Sequence, residues 1–398
     1  MSPLIQPVGD RERWCKDGLL ADYLEYTAAQ ESPEDFHLWI ALGLISSVLS
    51  RNVWTPRGFF QLYPNLYIVL VGDSGVVRKS TALNIGLGVL REAMPSMGMI
   101  SEKLTTQALF NFLSEERKNR GKSVGTLVSP ELKVFLGESS RDPQLLPILT
   151  DLYDCPDSRI YTTMTRGKEE VKDAYIVMLA GTTEEWFKTS LSEESVGGGF
   201  TSRLLMIHKQ ETEKAKVAFP EDMAPEAMKC RDNVIHDLRV ISTLKGPFRW
   251  DREAKEWFES WYGLYDVRRH IPQMRGYASR KQDYLTKLAM LVSISKNDTL
   301  TLTKDDFLIA SKFLGSIEGS MTKLVSHMEM TEEGEKVQRV LSVIASERVV
   351  EHGALLRKVG RRMNGLTLMN VIGTLMEMGE IERSNKDGKR YYTYKGGK

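Results

Sequence analysis

The sequence predicts an α/β fold in which helices cover both faces of a parallel β-sheet. Short, continuous apolar runs, among them 67–71, 124–131 and 204–208, are typical of strands that are buried on both faces. Segments with helical spacing separate these runs, and the turns between them are short. The length of 398 residues is sufficient for two or three domains.

Four segments with different patterns follow one another along the chain. We predict an N-terminal helical segment (1–52), a core with the parallel sheet (53–210), a helical lid (211–332) and a C-terminal winged helix-turn-helix (333–398). The last prediction rests on three helical segments that are followed by two short strands, with Asn-Lys-Asp-Gly at 385–388 as the hairpin turn.

The composition is that of an ordinary globular protein, with 41% hydrophobic and 27% charged residues. A net charge of +1 means that any nucleic-acid site must be a local patch. The three cysteines lie far apart and lack zinc-binding spacing, which favours a reducing compartment. The pattern of a signal peptide is absent, and the longest apolar stretch, 38–49, is too short to span a bilayer. We therefore expect a cytoplasmic protein without a membrane partner.

A buried strand, a glycine-containing loop and a helix start occur together at residues 67–91. This order is typical of a phosphate-binding loop, in which glycines let backbone N–H groups face a phosphate and the helix N-terminus adds partial positive charge. Lys79 would reach the β- and γ-phosphates of ATP, and Ser80 would hold Mg²⁺. The predicted nucleotide-binding residues are Gly72, Asp73, Ser74, Gly75, Val76, Val77, Arg78, Lys79, Ser80 and Thr81.

The loop departs from the usual pattern in two ways. Lys79 lies one residue farther from Gly72 than is usual, and Arg78 stands where a glycine usually precedes the lysine. The alternative interpretation is an ordinary turn between a strand and a helix. The buried strand before the loop and the Lys-Ser-Thr helix start after it favour nucleotide binding.

Hydrolysis of a nucleoside triphosphate requires a carboxylate that orients water, on the strand beside the phosphate loop. We expect Glu131 to supply it and to hold the metal ion with Ser80, because Glu131 ends the second buried strand. Pro130 stands where an aspartate usually precedes this glutamate, which weakens the metal site or leaves its role to Ser80 and Ser129. The alternative role of Glu131 is to cap a surface helix at 132–137.

Three further polar residues stand next to predicted strands. Thr182 and Thr183 end the third strong strand, where a hydroxyl can touch the γ-phosphate or the attacking water, but they could equally satisfy their own turn. Arg203 precedes the fourth strand and could reach the nucleotide of a neighbouring subunit as an arginine finger. A lone arginine is more often a solvated surface group.

In their order along the chain, these motifs resemble an AAA+ ATPase of the minichromosome-maintenance and superfamily 3 helicase branch, including helicase-like proteins of phages and mobile elements. The phosphate loop is similar to that of the branch, which also lacks a glycine before its lysine. Ser202-Arg203 followed by a strand resembles the arginine-finger motif, and 279–289 resembles the second sensor, with Arg280 on the sensor arginine and Lys287 on a downstream basic residue. The resemblance covers roughly residues 35–398.

The resemblance implies a homo-oligomeric ring, a hexamer, with ATP bound between subunits. Lys79, Ser80 and Glu131 would come from one subunit and Arg203 from the next, while Arg280 could belong to either side. A hairpin between the catalytic carboxylate and the first sensor grips DNA in this branch. By resemblance, Arg166 and Lys168 at the tip of the predicted hairpin 159–173 are DNA-contact candidates. The alternative is a solvated, charged turn.

The C-terminal segment is locally basic. Ten Lys or Arg and five Asp or Glu lie between 349 and 398. Such a cluster suits phosphate contacts, although the third helix offers few base-reading groups. DNA contact and protein docking are both consistent with this charge, which does not identify the partner. The DNA-binding candidates of this segment are Arg361, Arg362, Lys386, Lys389 and Arg390.

One aromatic group has no role in these predictions. Trp250, Trp257, Phe258, Trp261 and Tyr262 are interpreted as core side chains of the lid because of their burial preference.

Together the motifs and the resemblance predict an ATP-dependent, ring-forming DNA helicase or translocase of phage or mobile-element replication, located in the cytoplasm of a bacterial host or virus-encoded. Its expected partners are single- or double-stranded DNA and a primase or polymerase. One alternative is a helicase loader or replication initiator that uses ATP without translocating. Another is a winged-helix DNA-binding regulator with a degenerate ATP site.

Overall fold

The computed structural model describes residues 17–101, 104–133, 142–163, 167–190, 199–212, 214, 223–326, 332–360, 363–386 and 388–395. The chain forms two compact units, one that ends at Val325 and one that begins at Ser326.

The helices in the described part of the chain are α1 (Leu19–Tyr26), α2 (Glu34–Leu49), α3 (Lys79–Ala93), α4 (Thr106–Arg120), α5 (Leu145–Tyr153), α6 (Glu184–Ser190), α7 (Pro225–Ile241), α8 (Arg252–Leu264), α9 (Arg275–Lys296), α10 (Lys304–Ser326), α11 (Glu332–Glu347), α12 (His352–Val359) and α13 (Gly365–Glu377). The strands are β1 (Val53–Arg57), β2 (Phe60–Leu62), β3 (Tyr67–Val71), β4 (Met99–Ile100), β5 (Val124–Ser129), β6 (Ser158–Thr163), β7 (Gly167–Lys172), β8 (Tyr175–Thr182), β9 (Leu204–His208), β10 (Gly246–Pro247), β11 (Arg249–Trp250), β12 (Thr301–Leu302), β13 (Val349–Glu351), β14 (Ile381–Lys386) and β15 (Lys389–Tyr394).

A five-stranded parallel sheet lies at the centre of the first unit, in the order β4-β5-β8-β3-β9. Every residue of β3, β5, β8 and β9 is buried. Because successive side chains of a strand point to opposite faces, both faces of the sheet must be covered. The predicted α/β class and the parallel sheet are therefore confirmed.

Helix α2 is apolar nearly all round and is buried over most of its length. It packs on the central strands and on α3, the helix that follows the phosphate loop. The pairing with α3 is close, since a side chain at Gly86 would fall against Ile40. α2 thereby holds α3, and with it the end of the loop, in a fixed position against the sheet.

The parallel strands give the sheet two distinct edges, which we name by the strand ends that meet there. At the carboxyl edge, Val71 of β3 lies beside Thr182 of β8 and His208 of β9. At the amino edge, Tyr67 lies beside Leu204, the first residue of β9. A residue that precedes a strand is thus on the opposite side of the sheet from one that follows it.

In its described residues, the second unit has three helices around one small antiparallel sheet, β13-β15-β14. Its core includes Leu355 of α12 and Leu368 and Leu375 of α13. The three helices and the β14–β15 hairpin lie where the sequence predicts them. The third strand, β13, is not predicted, because its three residues are too few for a period-2 pattern and pair only with distant β15.

The interpretation of the aromatic group at 250–262 as core is wrong in part. Phe258 is buried, but Tyr262 is exposed and the three tryptophans are only partly buried. Side chains at i, i+4 and i+8 form one stripe of stacked rings, in which Trp257 lies on Trp261 and Trp261 on Tyr265. Within the described segments, no helix combines the length and the apolar character needed to cross a bilayer.

Candidate nucleotide-binding site

The predicted phosphate loop connects the end of β3 to the first residue of α3, Lys79. The Lys79 side chain is buried, and its ammonium donates to the carbonyl oxygens of Gly72 (2.6 Å) and Asp73 (3.2 Å). The loop therefore surrounds the Lys79 ammonium, which lies at its centre. This is the position from which a lysine can reach an anion bound in the loop.

The backbone explains how the loop tolerates an arginine in place of glycine. Arg78 adopts a left-handed conformation (φ 49°, ψ 38°), and Gly75 also has a positive φ of 76°. Such a conformation favours glycine, since a Cβ adds strain there. The Arg78 side chain is exposed and pairs with Glu31 at 3.1 Å. Arg78 thus adopts the left-handed turn that the usual glycine would adopt at this position.

Gly72 is fixed by close packing between neighbouring strands. A Cβ at this position would collide with the Lys209 carbonyl, which follows β9, and would lie 2.6 Å from Val77 Cγ2. The Gly72 N–H donates to the carbonyl of Thr182 at 3.3 Å. The loop is therefore held against both strands that flank β3.

The loop and the start of helix α3 could hold a nucleoside triphosphate. Residues 73–76 and the side chains of Ser80 and Thr81 are exposed around the buried lysine. The first N–H groups of α3 have no partner within the helix and carry its partial positive charge. An ATP phosphate fits this donor set, because it would accept from Lys79 and from these amides together.

Glu131 lies at the same edge, but its strand is not the neighbour of the loop strand. β8 lies between β5 and β3, so the expectation of an adjacent strand is wrong, and the backbones of β3 and β5 are about 10 Å apart. The registers place Ser129 level with Val69, so that Glu131 lies level with Val71. Glu131 is exposed and faces the loop across the end of β8.

Charge couples Glu131 to the loop lysine. Burial lowers the pKa of Lys79, while the carboxylates of Glu131 and Asp73 act in the opposite direction and raise it. The two side chains are therefore close enough to interact although their strands are not adjacent. A bound phosphate would replace the loop carbonyls as the partner of this ammonium.

The residues before Glu131 contribute no second acidic ligand. Ser129 is buried and its hydroxyl donates to the Glu131 carbonyl at 2.8 Å, so it is turned toward its own chain. Within the described residues, no group of three His, Cys, Asp or Glu side chains could hold a metal ion. Mg²⁺ would therefore depend on nucleotide phosphates together with Ser80 and Glu131, as is common for this ion.

The two threonines after β8 have local partners. Thr182 is buried, with its hydroxyl 3.5 Å from the Thr183 carbonyl oxygen. The Thr183 hydroxyl accepts a hydrogen bond from the backbone N–H of Trp186, in the first turn of α6. Both side chains thus serve their own turn, the alternative role that the sequence left open. His208, which the sequence analysis missed, ends β9 at this edge and lies 3.2 Å from Glu184.

Arg203 and Arg280 lie together at the opposite, amino edge. The Arg203 guanidinium donates to Asp154 at 2.6 Å and to the Gly199 carbonyl at 2.9 Å, and it lies over the Tyr153 ring. Arg280 of α9 donates to the other oxygen of Asp154 at 3.3 Å. The sequence offers no signal for Asp154, because a lone aspartate after a helix matches no motif.

The length of β9 separates Arg203 from the loop of its own chain. At about 3.3 Å per residue, its five residues span roughly 16 Å between the two edges. An arginine side chain is too short to cross this distance. Arg203 can therefore act on a bound phosphate only at the loop of another chain.

The predicted DNA-contact hairpin is present as β6 and β7, with Thr163 paired to Gly167. Arg159 of β6 bonds to Asp151 of α5, which anchors the base of the hairpin on the first unit. Arg166 lies outside the described residues, and of Lys168 the structure describes only its place in β7.

In the second unit, Lys386, Lys389 and Arg390 are exposed on either side of the β14–β15 turn, while Arg361 and Arg362 lie outside the described residues. Helix α13 exposes apolar side chains, with Leu366 75% and Met369 49% exposed. An apolar exposed face suits a protein partner better than phosphate groups.

Comparison with known proteins adds no family to these observations. A scan against models of known protein families finds no match, and a search of curated proteins finds no significant match.

Proposed function

We propose that the chain is an AAA+ ATPase that forms a ring and moves along DNA as a replicative helicase of a phage or mobile element. The observation that carries the proposal is the buried Lys79, held at the centre of a loop between a parallel strand and a helix N-terminus. This arrangement is built for a phosphate chain. The second unit, with its three helices and small antiparallel sheet, supports a winged-helix assignment.

The placement of Arg203 supports the ring. The loop and Glu131 lie at the carboxyl edge of the sheet, whereas Arg203 and Arg280 lie at the amino edge. A complete site would combine the carboxyl edge of one chain with the amino edge of the next. Such head-to-tail contacts close into a ring when the rotation between subunits allows it.

In this proposal each residue has a defined task. Lys79 and the first amides of α3 would bind the phosphates, and Ser80 would hold Mg²⁺, which would neutralise the developing charge. Glu131 orients the attacking water. Arg203 of the next subunit stabilises the transferred phosphoryl group. Movement of the β6–β7 hairpin would couple turnover to DNA.

The test is ATP turnover by the full chain with and without single-stranded DNA. We expect DNA to stimulate turnover and Lys79→Ala to abolish binding of a fluorescent ATP analogue. Glu131→Gln should keep binding but lower turnover about 100-fold or more, whereas Glu115→Gln, an exposed carboxylate of α4, is the control. Unchanged analogue binding by Lys79→Ala would refute the loop assignment.

A helicase loader or initiator is the second candidate. Ser129, Thr182 and Thr183 are turned toward local backbone groups, which leaves Glu131 with little support for hydrolysis. A loader would assemble on DNA in the presence of ATP without separating strands. Strand displacement in a fluorescence unwinding assay distinguishes the helicase from the loader.

A further inference from the structure

An open groove of about 1010 Å³ lies between the β1–β2 hairpin and α8 in the first unit. We call it the stacking groove, and define it by Arg57, Phe60, Arg249, Lys255, Phe258 and Tyr262. It is built from none of the elements of the phosphate loop or the β6–β7 hairpin.

The groove presents aromatic rings to solvent. Phe60 is 56% exposed and Tyr262 is 53% exposed, whereas Phe258 is buried. The rings of Phe258 and Tyr262 are stacked, with centroids 6.2 Å apart and planes 6° from parallel. Trp250 meets Phe258 edge-on at 5.1 Å and braces it. The packed ring of Phe258 thus orients the ring of Tyr262.

Cations accompany these rings. The Arg57 guanidinium lies 4.9 Å from the centroid of Phe258, and Arg249 and Lys255 are exposed along the groove. Among the described residues, none of the three lies within ion-pair distance of an acidic group, although the charge of Arg57 opposes the rise in the pKa of the Asp283 carboxyl that burial causes. The groove also contains two carboxyl groups, Glu259 and Asp283, so that its charge is three cations to two acids.

We infer that the stacking groove binds a single-stranded nucleic acid, with bases on Phe60 and Tyr262 and phosphates near Arg249 and Lys255. Flat aromatic faces beside cations that outnumber the acids are the combination that single strands use, because every base has a face that can stack and every linkage carries a negative charge. A neutral apolar protein segment would use the rings but leave the excess positive charge of the groove without a partner. This partner belongs to the same class as the DNA of the proposed function, but its binding to the groove would not require ATP.

The test measures binding of fluorescently labelled oligothymidylate to the full chain by anisotropy, without nucleotide. The double variant Phe60→Ala with Tyr262→Ala should bind about tenfold more weakly or worse, since each lost stacking contact weakens affinity severalfold or more. Both side chains are more than half exposed, so the fold should persist, which circular dichroism checks. Leu264→Ala is the matched control, because Leu264 is 80% exposed on the same helix and lies outside the groove.

Unchanged affinity of the folded double variant would overturn the inference. A change in oligomeric state on sedimentation, with unchanged oligonucleotide affinity, would assign the groove to a second copy of the chain and also overturn it. Lys79→Ala should retain oligonucleotide binding. If ATP does not bind but the double variant loses oligonucleotide binding, the proposed function fails and the groove assignment stands.

Discussion

Arg203 and Arg280 share one acceptor, the carboxylate of Asp154, and each uses a different oxygen. The side chain of Arg203 is only 9% exposed, while that of Asp154 is 52% exposed. Asp154→Ala leaves the buried guanidinium without its acidic partner. We expect this variant to lose about 1–3 kcal/mol of unfolding free energy, measured in urea.

Double-mutant cycles separate the two pairs. The coupling of Asp154 with Arg203 should exceed that with Arg280, because the first pair is shorter and the Arg280 side chain is 26% exposed. Equal coupling energies would contradict this order.

Exchange of Arg78 tests the strained turn of the phosphate loop. Arg78→Gly and Arg78→Ala both remove the exposed pair with Glu31, but only glycine adopts the left-handed conformation without cost. Urea unfolding should find the glycine variant more stable than the alanine variant by about 1 kcal/mol. If the alanine variant were equally stable, the left-handed turn would carry no strain.

Lys287 makes the free energy of unfolding depend on pH in the alkaline range. Its ammonium donates to the carbonyl and side-chain oxygens of Asn65 and lies 3.9 Å from the Tyr153 ring centre. Burial lowers the pKa of Lys287 to about 8, whereas the unfolded chain keeps this proton up to a pH of about 10.4. Between these values the unfolded state binds more protons, so the free energy of unfolding rises with pH.

Lys287→Met should remove this contribution. The stability of the original chain relative to the variant should rise by about 2–3 kcal/mol between pH 8 and 10, measured by urea unfolding at several pH values. Lys312→Met, which removes an exposed lysine of α10, is the control. A constant difference between the original chain and Lys287→Met would contradict the buried, titrating ammonium.

Mixing two inactive variants tests whether sites form between chains. In the proposed ATPase, Lys79→Ala would lack a working loop and Arg203→Ala would lack the arginine finger, so each variant should have little turnover alone. In an equal mixture, about a quarter of the interfaces would join an intact loop to an intact arginine if the variants assort at random. ATPase activity should therefore reappear on mixing. Continued inactivity would place Arg203 outside the site.

Local sequence was sufficient to place the strand and the helix start on either side of the predicted phosphate loop, and several other elements. The predicted strand Leu204–His208 has the observed bounds. Lys79 lies at the helix start as expected. In each case, neighbouring residues alone carry the signal, either as an apolar run between turn residues or as a motif of fixed order.

Features that depend on distant partners were not predictable. The sequence does not state which strands are neighbours, and so it did not reveal β8 between the loop strand and that of Glu131. Asp154 was missed because its two arginine partners follow it at long range. Tyr262 was assigned to the core because an aromatic residue is usually buried, whereas its exposure depends on where α8 packs.

The separation of Arg203 from its own phosphate loop has a consequence for how activity would vary with concentration. In the proposed ATPase, an isolated chain would contain two half-sites at opposite edges of the sheet, which could not complete one another. Turnover per chain would then fall steeply on dilution and rise as chains associate. The concentration of the protein would itself set the activity of the proposed enzyme.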